Sequence, residues 1–124
     1  MLYRLLRPDE NIEKGLMATD PLSDTTVLQR ICNQKNSMLK SKFISTWGSL
    51  KAVYSITTHH NPKMARIREK NLPVVKIDLR TKENRNKYCT DANIFFHEEA
   101  MLFELVLFVG YVPETHVELH TPSG

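Results

Sequence analysis

The order of the predicted elements indicates an α+β protein that forms a single domain over residues 1–124. The sequence predicts strand, helix, strand, helix and then mostly strands, so that the helices are concentrated in the first half. Such segregation favours an α+β fold over a doubly wound parallel sheet, in which strands and helices alternate throughout. A chain of 124 residues also has room for one core, because two cores sharing that length would each bury too little surface.

The first half of the chain supplies two strands and two helices. Residues 2–6 are apolar around Arg4 and residues 42–47 are rich in β-branched and aromatic side chains, so both predict strands. Apolar residues at helical spacing predict helices over residues 27–32 and 50–56. The remaining segments of this half are a helical turn over residues 9–16, a loop over residues 18–26 and a polar stretch over residues 33–42.

The second half is predicted to be mainly strand. Residues 101–109, which contain the longest apolar run (residues 105–109), predict the strongest strand, while residues 72–79 and 116–119 predict two others. Gly110 and Pro113 lie in the turn that ends the strongest strand. The segments between are expected to be a charged surface stretch over residues 63–71, a polar stretch over residues 80–93 and a loop over residues 97–100.

The composition is that of a folded protein with a real core. Apolar residues make up 41% and charged residues 25% of the chain, far from the profile of disordered or collagen-like sequences. The net charge of +3 comes from scattered lysines and arginines, which suits a phosphate-bearing ligand but not a nucleic-acid-binding patch. No GxGxxG or GxxxxGK[ST] loop is present, so a dinucleotide would have to be held in another way.

Cysteine and histidine usage argues against a metal site, and the apolar runs argue against a membrane span. Cys32 and Cys89 lie far apart and outside any CxxC pattern, so we expect two buried thiols. His59 and His60 lack a third ligand at a convincing spacing. No apolar run approaches the roughly 18 residues of a membrane helix, and no cleavage site follows the first residues. These features predict a cytoplasmic protein without a membrane partner.

Three polar features lie inside apolar segments and are candidates for chemistry. Arg4 interrupts the first strand, Ser45 and Thr46 lie between bulky residues of the second, and Glu104 lies in the strongest apolar run. A guanidinium suits phosphate, and a carboxylate among apolar neighbours is costly unless it is paired or functional. Each also has a structural alternative, in which Arg4 faces solvent, the Ser45 and Thr46 hydroxyls bond nearby backbone, and Glu104 points outward into solvent.

Taken in order, these features resemble the cholera-toxin-like clade of ADP-ribosyltransferases. Arg4 and the residues after it are similar to that clade's opening strand and loop, and residues 43–47 are similar to its Ser-Thr-Ser strand. Residues 104–107, with the turn that follows them, are similar to its catalytic-glutamate strand and Gly-Ile-Pro turn. The resemblance runs from Leu2 to Leu119. It implies an ADP-ribosyltransferase-like split β-sandwich that uses NAD as its substrate.

The resemblance also assigns roles to residues. It implies that Glu104 stabilises the positive charge that develops on the ribose when the nicotinamide bond breaks. Ser45 would orient Glu104, and Arg4 would bind the pyrophosphate or the adjoining ribose. The residues expected to bind the cofactor are Arg4, Ser45, Thr46, Trp47 and Tyr54, the last by stacking on nicotinamide. The residues expected to meet a protein acceptor are His97, Glu98 and Glu99.

Three positions depart from the clade's pattern. Leu102 replaces the first glutamate of Glu-x-Glu, which positions an arginine acceptor, and Trp47 replaces the last serine of the triplet. Arg30 lies where some relatives hold a histidine. The resemblance therefore implies transfer of ADP-ribose to an acceptor other than arginine, or to water. The alternatives are a catalytically degenerate domain that binds or inhibits a protein and, third, a basic nucleic-acid-binding module, which would show steeply salt-dependent binding.

Overall fold

A computed structural model of the chain describes residues 1–33, 40–57, 62–89 and 94–120. Within these residues the chain forms eight strands, four α-helices and two 3-10 turns. The strands are β1 (Leu2–Leu5), β2 (Leu16–Met17), β3 (Phe43–Trp47), β4 (Met64–Ile67), β5 (Lys76–Asp78), β6 (Leu105–Val109), β7 (Tyr111–Val112) and β8 (Val117–His120). The helices are α1 (Val27–Cys32), α2 (Leu50–Tyr54), α3 (Lys82–Tyr88) and α4 (Ile94–Leu102), and the 3-10 turns are Ile12–Lys14 and Glu114–His116.

A six-stranded antiparallel sheet organises the molecule. Its order is β5-β6-β3-β1-β4-β8, and every neighbouring pair runs antiparallel. β2 and β7 form a separate two-stranded antiparallel sheet. The prediction of a mixed α+β protein is therefore confirmed. The β3–β6 pair, with Trp47 opposite Leu105, positions the candidate site because it places the predicted Ser-Thr strand next to the segment after Glu104.

Apolar side chains fill both faces of the large sheet, as the alternation of side chains along a strand requires. One face carries the helix-side core, which includes Val27, Ile31, Ala52, Val53 and Ala100 of the helices and Cys89 directly after α3. The opposite face carries a second core that includes Ile44 and Phe108 of the large sheet with Leu16 and Val112 of the small one. Both faces of the central strands are thus buried, so a polar side chain on them must be paired or must cost stability.

Helix capping fixes where the short helices begin. Thr26 accepts a hydrogen bond from the Gln29 backbone (3.1 Å) and donates its own N–H to the Gln29 side chain (2.8 Å), which is a capping box. Ser49 caps α2 by accepting from the Ala52 N–H (3.1 Å). The predicted helices over residues 27–32 and 50–56 are confirmed, although the second ends at Tyr54.

The expected concentration of helices in the first half is wrong. α3 lies within the polar stretch 80–93, where Thr81 caps it by accepting from the Asn84 N–H (3.3 Å). α4 occupies the predicted loop 97–100 and the first two residues of the predicted strand 101–109. Its apolar residues are spread around the helix, so no helical periodicity distinguishes it from a buried strand. Consequently β6 begins at Leu105, and Glu104 lies before the strand rather than within it.

Three smaller predictions also need correction. The charged stretch 63–71 contains β4, which is an interior strand because it pairs with both β1 and β8. The predicted strand 72–79 is reduced to β5. Cys89 is a buried thiol as expected, whereas Cys32 is exposed.

Candidate active site

Arg4 is buried in β1, where a carboxylate compensates its charge. The residue is 6% exposed, and its Nε and Nη2 donate to Oε2 (3.0 Å) and Oε1 (3.1 Å) of Glu10, which is also buried. Nη1 donates to the Ser45 carbonyl (2.7 Å). Burial lowers the pKa of Arg4, and Glu10 opposes that effect. This bidentate pair holds the guanidinium between β3 and the loop after β1.

The side chains of Arg4 and Ser45 lie on opposite faces of the sheet. Arg4 is flanked on its strand by Leu2 and Leu6, which belong to the second core. Ser45 is flanked by Phe43 and Trp47, which belong to the helix-side core. Since alternate residues of a strand share a face, the two polar side chains point away from each other. The structure does not bring them into one cleft as expected, and their contact runs through the Ser45 carbonyl alone.

The predicted cofactor-binding residues of β3 are all buried. Thr46 is fully buried and donates its hydroxyl to the Val106 carbonyl (2.7 Å) of β6. Ser45 and Trp47 are each 4% exposed, and neither Ser45 Oγ nor Trp47 Nε1 has a hydrogen-bond partner among the described residues. These side chains therefore support the sheet from within and do not line an open surface in this conformation.

Glu104 lies in a strained turn between α4 and β6, partly exposed to solvent. Its φ of 48° is in the left-handed region, which residues other than glycine, asparagine and aspartate rarely adopt. Its carbonyl accepts from the Gly48 N–H (2.9 Å), and its Oε2 accepts a short hydrogen bond from the Ser49 hydroxyl. The serine that orients Glu104 is thus Ser49, which also caps α2.

Gly48 allows the two chain segments to approach this closely. A Cβ atom on Gly48 would lie 2.9 Å from the Cβ of Glu104, 3.3 Å from its Oε1 and 3.3 Å from Nη1 of Arg80. Any larger residue would force one of these groups to move, because Cβ contacts under 3.0 Å do not occur without displacement. The register of β3 with β6 continues into this approach, since Gly48 follows Trp47 and Glu104 precedes its partner Leu105.

Arg80 adds a cation beside the Glu104 carboxylate. Its Nε and Nη2 donate to Asp78 at 2.9 and 2.8 Å, and Nη2 lies 3.6 Å from Glu69. The hydrogen bond to Asp78 raises the pKa of Arg80, and the charges of Asp78, Glu69 and Glu104 act in the same direction. We call Gly48, Ser49, Asp78, Arg80 and Glu104 the Glu104 corner. It combines an oriented carboxylate with a guanidinium that is about one-third exposed.

The other predicted contact residues lie on helices. Tyr54 is the last residue of α2 and is 45% exposed, so its ring is not part of the core. His97, Glu98 and Glu99 lie on α4 rather than in a loop. Leu102, at the end of α4, is 66% exposed.

Arg30 is a second buried cation near Arg4. It is 6% exposed and donates from Nη2 to the Asn33 carbonyl (2.7 Å). Burial, together with the positive charges of Arg4 and Arg7, lowers its pKa to about 10. Arg30 therefore adds to the positive potential behind β1.

The sequence interpretation missed four of the five corner residues: Gly48, Ser49, Asp78 and Arg80. One signal for Ser49 is present in the sequence, because a serine between a strand and a helix is a preferred N-cap and so lies at a fixed corner. No local pattern marks Arg80, which reaches the site only through the pairing of β5 with β6.

No metal centre and no membrane helix appear in the described segments. There, no group of three or more histidine, cysteine, aspartate or glutamate side chains is arranged to hold a metal ion. His59 and His60 lie outside the described residues. None of the helices in those segments has the length and apolarity needed to cross a membrane.

The chemistry available at the Glu104 corner is that of an accessible, oriented carboxylate. Such a group stabilises positive charge that develops on a substrate, or accepts a proton. Comparisons with protein-family models, with curated proteins and with solved structures gave no match to this chain.

Proposed function

We propose that the chain binds NAD at the Glu104 corner, cleaves its nicotinamide–ribose bond and transfers ADP-ribose to a protein acceptor or to water. The observation that carries the proposal is the Glu104 carboxylate, which is held by Ser49 in a left-handed turn on a partly exposed residue. Strained backbone of this kind occurs preferentially at functional sites. The ordered resemblance to ADP-ribosyltransferases supports the same assignment and, with it, a split β-sandwich fold.

The proposed reaction needs a fixed negative charge more than a strong nucleophile. The C–N glycosidic bond breaks, its electron pair leaves with neutral nicotinamide, and positive charge develops on the ribose. Glu104 stabilises that charge, and because Ser49 orients the carboxylate beforehand, little reorganisation is needed during the reaction. Water or an acceptor side chain then bonds to the ribose carbon and releases its proton to Glu104 or to solvent.

Arg80 is the best-placed partner for the phosphates of NAD. Its guanidinium is partly exposed and lies beside the Glu104 carboxylate, whereas Arg4 is buried against Glu10. A planar fork of N–H donors suits phosphate oxygens. In this proposal Arg4 stabilises β3 through its hydrogen bond to the Ser45 carbonyl. Tyr54, at the exposed end of α2, is available to stack on an aromatic ring.

The acceptor is proposed to be a protein side chain other than arginine. Leu102, which stands in the place of the acceptor-positioning glutamate, projects from the end of α4 into solvent and offers no carboxylate to a guanidinium. His97, Glu98 and Glu99 on the same helix supply polar groups near the turn that carries Glu104.

The test is release of nicotinamide from labelled NAD, with transfer of the label to protein as a second readout. We expect turnover by the unmodified protein and a loss of at least about a hundredfold in Glu104→Gln, because one preorganised electrostatic group contributes that much. Glu13→Gln, an exposed glutamate in the first 3-10 turn, is the matched control. No turnover, or equal turnover by Glu104→Gln and the unmodified protein, would contradict the proposal.

A second candidate function is protein binding by a catalytically inactive domain. The observation that favours it is the large apolar surface of α4, where Ile94 is 71%, Phe95 54%, Met101 54% and Leu102 66% exposed. Exposed apolar patches of this kind mark interaction sites. Calorimetry showing no NAD binding, beside a stable protein complex that Leu102→Glu disrupts, would favour this alternative.

A further inference from the structure

Arg85 is a buried arginine that has no carboxylate partner among the residues that the structure describes. It lies on α3 with 7% of its surface exposed. Its Nη1 donates to the carbonyls of Leu79 (3.1 Å) and Arg80 (2.6 Å), and among the described residues no aspartate or glutamate is within ion-pair distance of it. A buried cation without a counter-charge is costly, so this guanidinium is a candidate to bind an anion.

Arg85 lines an open pocket of about 370 Å³ between α3 and α4. The residues that line it are Lys82, Arg85, Asn86, Ile94, His97 and Met101. On α3 the lining residues follow i, i+3, i+4 spacing and on α4 they follow i, i+3, i+7 spacing, so each set lies on one face of its helix. Among the described residues, the lining contains two cations and an amide and no acidic side chain. The described part of the lining therefore carries a net positive charge.

A contact between His97 of α4 and the residue directly after α3 joins the two helices beside the pocket. Cys89, directly after α3, is buried, and burial raises the pKa of its thiol while the nearby Arg85 opposes that effect. The Cys89 carbonyl lies 3.3 Å from Nε2 of His97. Because a carbonyl only accepts, Nε2 carries the hydrogen in this contact. The His97 side chain thus links the two helices at one wall of the pocket.

The α4 part of the lining contains two apolar residues. Ile94 is 71% and Met101 54% exposed, and both line the same pocket as the cationic residues of α3. A ligand that combines an anionic group with an apolar or aromatic body would contact both parts. The volume falls in the range of pockets that hold small molecules, which is roughly 300–1,000 Å³.

We propose that this pocket binds a small organic phosphate, with the phosphate group against Lys82 and Arg85 and its organic part against Ile94 and Met101. Phosphate is the anion favoured by this set, because a guanidinium and an ammonium together match its charge and its several acceptor oxygens. The site shares no residue with the Glu104 corner, and although His97 is also a proposed acceptor contact, phosphate binding here does not require NAD cleavage.

The test is a titration of the isotope-labelled chain with phenyl phosphate, followed by nuclear magnetic resonance. We expect saturable shifts at the backbone amides of α3 and α4, and weaker binding of inorganic phosphate, which lacks the ring. Lys82→Ala should weaken binding at least about fivefold, since it removes a charge-assisted hydrogen bond. Lys87→Ala is the matched control, because Lys87 lies on the same helix, is also exposed and does not line the pocket.

Three results would overturn the proposal. They are the absence of saturable shifts in the unmodified protein, equal weakening by Lys82→Ala and Lys87→Ala, and tighter Lys82-dependent binding of a single-stranded oligonucleotide than of phenyl phosphate. The last result would assign the pocket to nucleic acid. Arg85→Gln can be measured in the same way if the variant folds. The two lysine variants decide the question if it does not, because both lysines are exposed and their replacement should leave the fold intact.

Discussion

The interior of strands β1 and β3 and the corner at the C-terminal end of β3 differ in the exposure of their polar side chains. In the interior, Arg4 is sealed against Glu10, and Thr46 donates to the neighbouring strand. At the corner, Ser49 holds a Glu104 carboxylate that remains partly exposed. The contrast teaches that an unexpected polar residue in an apolar strand is evidence of function only when its polar atoms remain accessible, because a closed network serves stability.

The largest effect is expected from removing the Glu10 carboxylate that pairs with the buried Arg4. Glu10→Ala leaves Arg4 buried without a counter-charge and should lower the free energy of unfolding by about 3–5 kcal/mol. Glu13→Ala, on an exposed residue three positions further on, should change it by less than about 0.5 kcal/mol. Urea denaturation measures both values. A loss below about 1 kcal/mol in Glu10→Ala would mean that the pair is not a buried structural element.

The next largest effect is expected from adding a side chain at Gly48 in the Glu104 corner. Gly48→Ala places a Cβ 2.9 Å from the Cβ of Glu104, and overpacking of this kind costs about 1–3 kcal/mol. Since Glu104 must shift to relieve the contact, nicotinamide release should fall as well. Thermal unfolding and the release assay on the same preparation check both expectations. A Gly48→Ala protein with full activity would show that the geometry of the turn does not matter.

Ser45 and Thr46 are neighbouring buried residues of β3, and of their two hydroxyls only that of Thr46 has a hydrogen-bond partner among the described residues. Thr46→Val removes the hydrogen bond to the Val106 carbonyl (2.7 Å) and should cost about 1 kcal/mol. Ser45→Ala removes a buried hydroxyl that has no partner among the described residues, so the free energy of unfolding should stay unchanged or rise. The two variants are compared by urea denaturation. A larger loss in Ser45→Ala than in Thr46→Val would contradict this assignment.

The smallest effect is a pH dependence that originates at Asp78. Burial opposes ionisation of Asp78, but hydrogen bonds and charge from Arg80 outweigh it, so its pKa lies below the ordinary value. The stabilisation is therefore present above the unfolded-state pKa of about 3.9 and is lost as pH falls through the folded-state value. Because the pair is near the surface, we expect less than about 1 kcal/mol.

Asp78→Asn should accordingly be less stable than the unmodified protein at pH 7, and the difference should shrink below about pH 4. Chemical denaturation across this range measures the difference. A difference that stays constant from pH 7 to pH 3 would show that the carboxylate charge is not its source.

The elements that the sequence predicts well are those with a clear local signal. β1, β3 and α1 have β-branched or apolar runs or a capping residue, and each lies where it was predicted. α4 was missed because its apolar residues surround the helix, and β4 was missed because its arginine and its charged flanks hide a buried strand. In both cases tertiary packing decides the structure, and local propensity does not.

The candidate site was predictable only in part for a similar reason. Glu104 was recognised from its unusual place in an apolar run, but its orienting serine depends on a turn after β3 and on the β3–β6 register. Arg4 was expected to bind ligand, whereas Glu10, six residues away, already satisfies it. A nearby carboxylate of opposite charge is a sequence signal for such a structural pair.

The most direct test of the account compares two serines, one in the interior and one at the corner. Ser45 is three residues from Gly48 along β3, a distance of about 10 Å, whereas Ser49 bonds the Glu104 carboxylate. The measurement is kcat/KM for nicotinamide release by Ser49→Ala and Ser45→Ala, at a temperature where both are folded. The proposed function predicts a loss of about tenfold or more in Ser49→Ala and near-normal turnover in Ser45→Ala. Equal or greater loss in Ser45→Ala would contradict it.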